Sequence, residues 1–191
     1  MWTNNRRKYA IFCCIVIVIG FIGGICFTYN NVFKPNQKIV LDCIKNWSIN
    51  INKIHINNIL PHLMILSLFL VLSSFLIGTP LYIFYIFYNG FTIGFTISSL
   101  CKIYNFKGFI YSLIYILITK GLYLFLLLCF LTLLFRVGEN IVFYLIKKTK
   151  PSNHEKTLKK ATIFLFLIFI NDIFIYFYGN KILAIFKFLI R

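Results

Sequence analysis

Few residues in this 191-residue chain carry side chains able to do chemistry. The acids are Asp42, Glu139, Glu155 and Asp172, and the histidines are His55, His62 and His154. Catalysis needs acids, bases, nucleophiles or metal ligands held at short range. The spacings that assemble them are missing. There is no His-Glu-x-x-His, no nucleophile elbow and no glycine loop that would cradle a phosphate. The six cysteines make no C-x-x-C pair and no Cys/His cluster, so neither a zinc site nor a redox pair is expected. Cys13, Cys14, Cys26 and Cys129 sit inside apolar runs and read as small core residues, while Cys43 and Cys101 lie in or beside polar connections. His62 follows Pro61 at the entrance to an apolar run and reads as an interfacial side chain. The expectation is a protein that is not an enzyme, with no catalytic residues, no metal and no cofactor.

Two ionisable residues stand apart because of where they fall. Lys120 lies near the middle of one apolar run and Asp172 lies inside another. A charge in hydrocarbon is costly and is usually paired or functional. Counted from the run ends at Arg136 and Lys160, the two depths differ by about one helical turn at ~1.5 Å per residue. A lysine side chain flexes over that range. The spacing therefore predicts a Lys120–Asp172 ion pair that locks two helices together, with Asn171 beside it. The same two residues would serve a transporter as an ion or proton relay. A third reading lets Lys120 snorkel to the outer interface.

These readings presuppose membrane-crossing elements, and the composition demands them. The chain is 60% hydrophobic and 13% charged, with a mean hydropathy of +0.86. A soluble domain of this size cannot hide so much apolar surface. The apolar runs are continuous rather than alternating, which points to helices and away from a barrel. The fold class is thus an all-α, polytopic integral membrane protein forming a single membrane domain over 1–191.

A helix needs ~20 apolar residues to cross the hydrocarbon. That criterion places spans near 9–28, 60–77, 81–100, 108–135 and 161–178. The first resembles a signal peptide, but its apolar stretch exceeds the usual ~7–15 residues and no small-x-small site follows, so it reads as a retained span. The turn between the second and third is expected at Gly78-Thr79-Pro80, since Gly ends helices and Pro suits a first turn. The fate of 137–146 is left open between an interfacial helix and a fourth run broken at Lys120. Residues 30–58 form the largest polar loop. Within it Ile39, Val40, Cys43, Ile44 and Trp47 repeat at helical spacing, which predicts a surface helix anchored by Trp47.

The formal net charge is +16. The cations lie in short loops between apolar spans, where they set orientation and attract anionic lipid rather than nucleic acid. Arg occurs only at 6, 7, 136 and 191, and the excess of Lys, Ile, Asn, Phe and Tyr makes part of this charge compositional. The positive-inside rule puts Arg6, Arg7 and Lys8 inside, together with the basic loop 136–160. Loop 30–58 and the C-terminus then fall outside.

One span is written unlike the rest. In NGFTIGFTISSL the tetrad Gly-Phe-Thr-Ile repeats, placing Gly90, Gly94 and Ser98 on one helical face, with Thr92 and Thr96 between them. In lipid, small residues let backbones approach closely. This face predicts a helix–helix seam, within the protein or between copies in a homo-oligomer. In the first span Gly20, Gly23 and Gly24 make a similar face.

The stretch from Gly78 to Leu117 resembles the core of the stage II sporulation protein M family. The resemblance rests on order: Gly78-x-Pro80, an apolar span, Gly90-Phe91-x-x-Gly94-Phe95-Thr96, a short connection, then Lys107-Gly108-Phe109 opening the next span. The five-span layout, the chain length and the basic segments are similar too. One departure is present. Members often carry a Leu-Pro-polar break after the Lys-Gly-Phe span, where this chain has Leu117-Ile118-Thr119-Lys120-Gly121 without proline. The resemblance implies a non-enzymatic scaffold in the membrane of a sporulating bacterial cell. It would anchor and localise a peptidoglycan-degrading complex, with stage II sporulation proteins D and P as partners, during endospore engulfment. The outer loop, through Val40, Ile44 and Trp47, is the expected docking site. The alternative is a small permease or export subunit.

Overall fold

The computed structural model describes residues 2–32, 59–73, 78–147 and 154–185, and every regular element among them is helical. The helices are α1 (Trp2–Val32), α2 (Ile59–Leu72), α3 (Gly78–Ile116), α4 (Leu122–Lys147), α5 (His154–Phe174) and α6 (Asn180–Ile185). A π-helical turn, Leu117–Gly121, joins α3 to α4, and a second, Ile175–Gly179, joins α5 to α6. The predicted surface helix with Val40, Ile44 and Trp47 lies outside the described residues, as do 74–77 and 148–153.

Three helical runs are long and apolar enough to cross a membrane: Arg7–Asn30, Gly78–Val142 and Glu155–Gly179. The chain is therefore built to be membrane-embedded. The 65 residues of the second run would reach about 100 Å if straight. They do not run straight, because α3 kinks at Asn105, with φ 52° and ψ −134°. Asparagine is among the few non-glycine residues that enter positive φ readily. Beyond the kink the chain folds back, and Leu100 packs on Tyr111. Eleven residues of straight helix would hold them ~16 Å apart. Gly108 allows the reversal, because a methyl group there would collide with the Leu100 carbonyl and sit 3.0 Å from Tyr104 Cβ.

α1 and α3 lie side by side and run parallel. Gly20 faces the backbone of Phe87 and Phe91, Gly24 faces Phe91 and Phe95, Gly90 faces Ile17 and Gly94 faces Phe21. At Gly20, Gly24, Gly90 and Gly94 an added methyl would overlap a carbonyl oxygen of the opposite helix. The seam is reciprocal, with a Gly-x-x-x-Gly pair on each helix. At one end of the pair Lys102 donates to the Thr28 carbonyl at 3.3 Å. At the other, Tyr9 of α1 stacks on Phe135 of α4 at 5.8 Å and its hydroxyl reaches Glu139. α4 thus runs back antiparallel to both and continues without interruption to Lys147. Residues 137–146 are its final turns, and the chain is not broken at Lys120.

The described part of α2 is 14 residues, ~21 Å of helix. It packs on α5 and on the first half of α3. Phe69 meets Tyr82 and Tyr85, each at 5.2 Å between ring centroids, and the Tyr82 hydroxyl donates to the Phe69 carbonyl at 2.8 Å. The core of the bundle, including Cys13, Leu66, Phe69, Tyr82, Ile86, Leu127, Phe130, Leu134 and Ile168, draws on every helix from α1 to α5.

Candidate functional site

His62, near the start of the described part of α2, meets side chains of α4 and α5. His62 Nδ1 lies 2.7 Å from Asp172 Oδ2 of α5. Its Nε2 lies 2.9 Å from the Tyr123 hydroxyl of α4, and that hydroxyl lies 2.9 Å from the hydroxyl of Tyr85 on α3. Four helices thus meet in one hydrogen-bonded chain. On α4, Tyr123 stands 12 residues from Phe135, so the cluster sits ~18 Å along the membrane path from the Tyr9 end.

The chemistry fixes the direction of these bonds. With Asp172 ionised, its oxygens only accept, so His62 Nδ1 carries the proton. In a neutral ring Nε2 then accepts from the Tyr123 hydroxyl, and Tyr123 oxygen accepts from Tyr85. Asn89 donates to the Tyr85 carbonyl at 2.9 Å, and its side chain adjoins both tyrosine hydroxyls. His62 and Asp172 retain 23% and 12% side-chain exposure, so the pair is not sealed off.

This arrangement corrects the predicted Lys120–Asp172 ion pair. Asp172 is bonded to His62. Lys120, in the first π turn, holds its ammonium 5.0 Å above the Tyr123 ring, a cation–π contact. It still feels the Asp172 charge. The reason is lateral: α5 packs on α2 as well as on α4, and α2 delivers an imidazole at the depth of the carboxylate. Nor is His62 interfacial. In the sequence it shows only as a histidine early in an apolar run, with nothing to mark its partners Tyr123 and Asp172. Asn171, beside Asp172, is buried, and its amide nitrogen has no hydrogen-bond partner.

The two π turns pack against each other and flank the cluster. The first occupies Leu117–Gly121, so the interruption of the apolar run at Lys120 marked its place but not its π geometry. No sequence signal marked the second.

The helix-packing residues fall as follows. Gly78, Gly90, Gly94 and Gly108 are all buried at close-approach points. A methyl group added at Gly78 would strike the Tyr82 hydroxyl and stand 2.7 Å from the Leu72 carbonyl oxygen. Pro80 lies in the first turn of α3, exposed, and lines an apolar groove with Val16, Ile19, Ile83, Phe84 and Phe87. Thr96 is buried and donates to the Thr92 carbonyl at 2.7 Å, while Thr92 donates to the Asn89 carbonyl at 2.9 Å. Both hydroxyls thus bond within their own helix rather than across the seam. Ser98 is half-buried. Among the described residues no three His, Cys, Asp or Glu side chains group as metal ligands.

Compared with protein-family models, with curated proteins and with solved structures, the chain finds no match.

Proposed function

We propose that this chain is a non-enzymatic membrane scaffold of the stage II sporulation protein M type. It would anchor a peptidoglycan-degrading complex, with stage II sporulation proteins D and P as partners, in the membrane of a cell engulfing its forespore. The observation that carries the reading concerns glycines. Gly78, Gly90, Gly94 and Gly108, the glycines of the ordered resemblance, all stand where a side chain would collide with neighbouring atoms. Gly20 and Gly24 of α1, their counterparts across the seam, are as crowded, whereas nothing lies within 4 Å of a methyl at Gly121 and the nearest atom to one at Gly138 is 3.8 Å away. The glycines of the resembled stretch all fall at points of close contact, which supports the reading of a rigid bundle suited to anchoring.

The reading has five membrane segments with the N-terminus inside. Loop 30–58 then lies outside, on the side of the wall. Deleting 38–47 from the full chain should release the wall hydrolases while leaving the protein in the membrane, as read by localisation of fluorescently tagged partners. Recruitment that survives the deletion overturns the docking loop. Normal engulfment without this protein overturns the scaffold.

A further inference from the structure

The polar cluster places two bases around one acid. His62 comes from α2, Lys120 from the π turn and Asp172 from α5. The Tyr123 ring of α4 stands between the bases, 5.0 Å from the imidazole centroid and 5.0 Å from the Lys120 ammonium. Tyr85 of α3, with Tyr88 near it, completes the ionisable groups that face this point. With Asp172 ionised and both bases neutral, the cluster carries one negative charge. A single added proton makes it neutral. A second leaves it positive, which the low-dielectric surroundings oppose.

We propose that the cluster is a proton-binding site, holding one exchangeable proton shared between His62 and Lys120 against the charge of Asp172. A proton on His62 sits on Nε2 and turns the imidazole into a donor at both nitrogens. Tyr123 then accepts from Nε2 and donates to Tyr85, so both hydroxyls reverse without movement of heavy atoms. α2 is then tied to α5 by an ion pair. With the proton on Lys120 instead, His62 is neutral, the hydroxyls point back, and the charge pairing shifts to the π turn. The site takes its proton from water and returns it there, and no bond other than N–H is made or broken. The proposal does not depend on the scaffold reading.

The test uses the full-length, 15N-labelled protein in phospholipid nanodiscs. Histidine ring nitrogen shifts report the imidazolium fraction, with the His62 signals assigned by their loss in His62→Gln. At one fixed pH between about 5 and 8, where histidine changes charge, Lys120→Met should raise the imidazolium-to-imidazole ratio of His62 roughly tenfold. Asp172→Asn should lower it by a similar factor. Opposite responses are the expected result. A His62 unmoved by Lys120→Met overturns the shared proton, and so do responses of the same sign. Should Asp172→Asn fail to fold, Lys120→Met decides alone. Tyr123→Phe, which keeps both bases, should remove the Nε2 bond and change the ring tautomer signature; an unchanged signature overturns the hydroxyl chain.

Discussion

Asp172 has two basic neighbours and is hydrogen-bonded to only one. The bond to His62 is short and charge-assisted, whereas Lys120 rests on an aromatic face. A double-mutant cycle of His62→Phe and Asp172→Asn should therefore give a coupling of about 1–2 kcal/mol, read from unfolding in mixed micelles. The cycle of Lys120→Met with Asp172→Asn should give less. The reverse order would return Asp172 to Lys120. That Asp172 would need a partner was legible from its position alone, since a carboxylate in an apolar run rarely stands unpaired. Which partner was not legible. Depth can be counted along a helix, but a neighbour across the bundle depends on how helices are arranged laterally, and a single sequence carries no record of that.

The helices divide by how local their determinants are. The Gly90/Gly94 face was readable because i and i+4 share a helix surface whatever surrounds them. Its match to Gly20 and Gly24 adds only that the two faces meet each other. Gly94→Ala should destabilise the protein by about 1–3 kcal/mol, because its methyl would strike the Phe21 backbone, which cannot rotate away as a side chain could. Gly121→Ala meets nothing and should leave stability unchanged or raise it by up to about 1 kcal/mol. Thermal unfolding in one detergent compares the two; equal losses would remove the seam as the cause. The expected second span, 60–77, gave no hint that its histidine would meet α4 and α5 at one point. Hydropathy reports that a run is apolar and not which helices surround it. The interruption at Lys120 marked the place of the first π turn but not its geometry, and the second went unmarked, since one extra residue in a turn leaves the apolar pattern intact.

For the molecule as a whole, composition alone required a membrane, and the described helices agree in kind. Sidedness rests on the cations. Cys101 lies near the Asn105 kink, at the end of the bundle opposite Tyr9. With every other cysteine replaced by serine, Cys101 should react with an impermeant maleimide added to intact cells. Reaction only after permeabilisation would invert the orientation and move loop 30–58 away from the wall. Residues 33–58 are polar in sequence, yet nothing in their composition says which protein they would meet.

The α1–α3 seam also constrains how the chain is made. Its two halves, Gly24 and Gly94, are 70 positions apart. At roughly 5–20 residues per second, several seconds of translation separate the emergence of the first glycine face from that of its mate. During that interval α1 sits in the bilayer with its contact face open, and α2 is made before α3. α1 is thus separated from its permanent neighbour while α2 is made, and the insertion machinery or surrounding lipid must hold it, unpaired, until α3 is threaded in alongside.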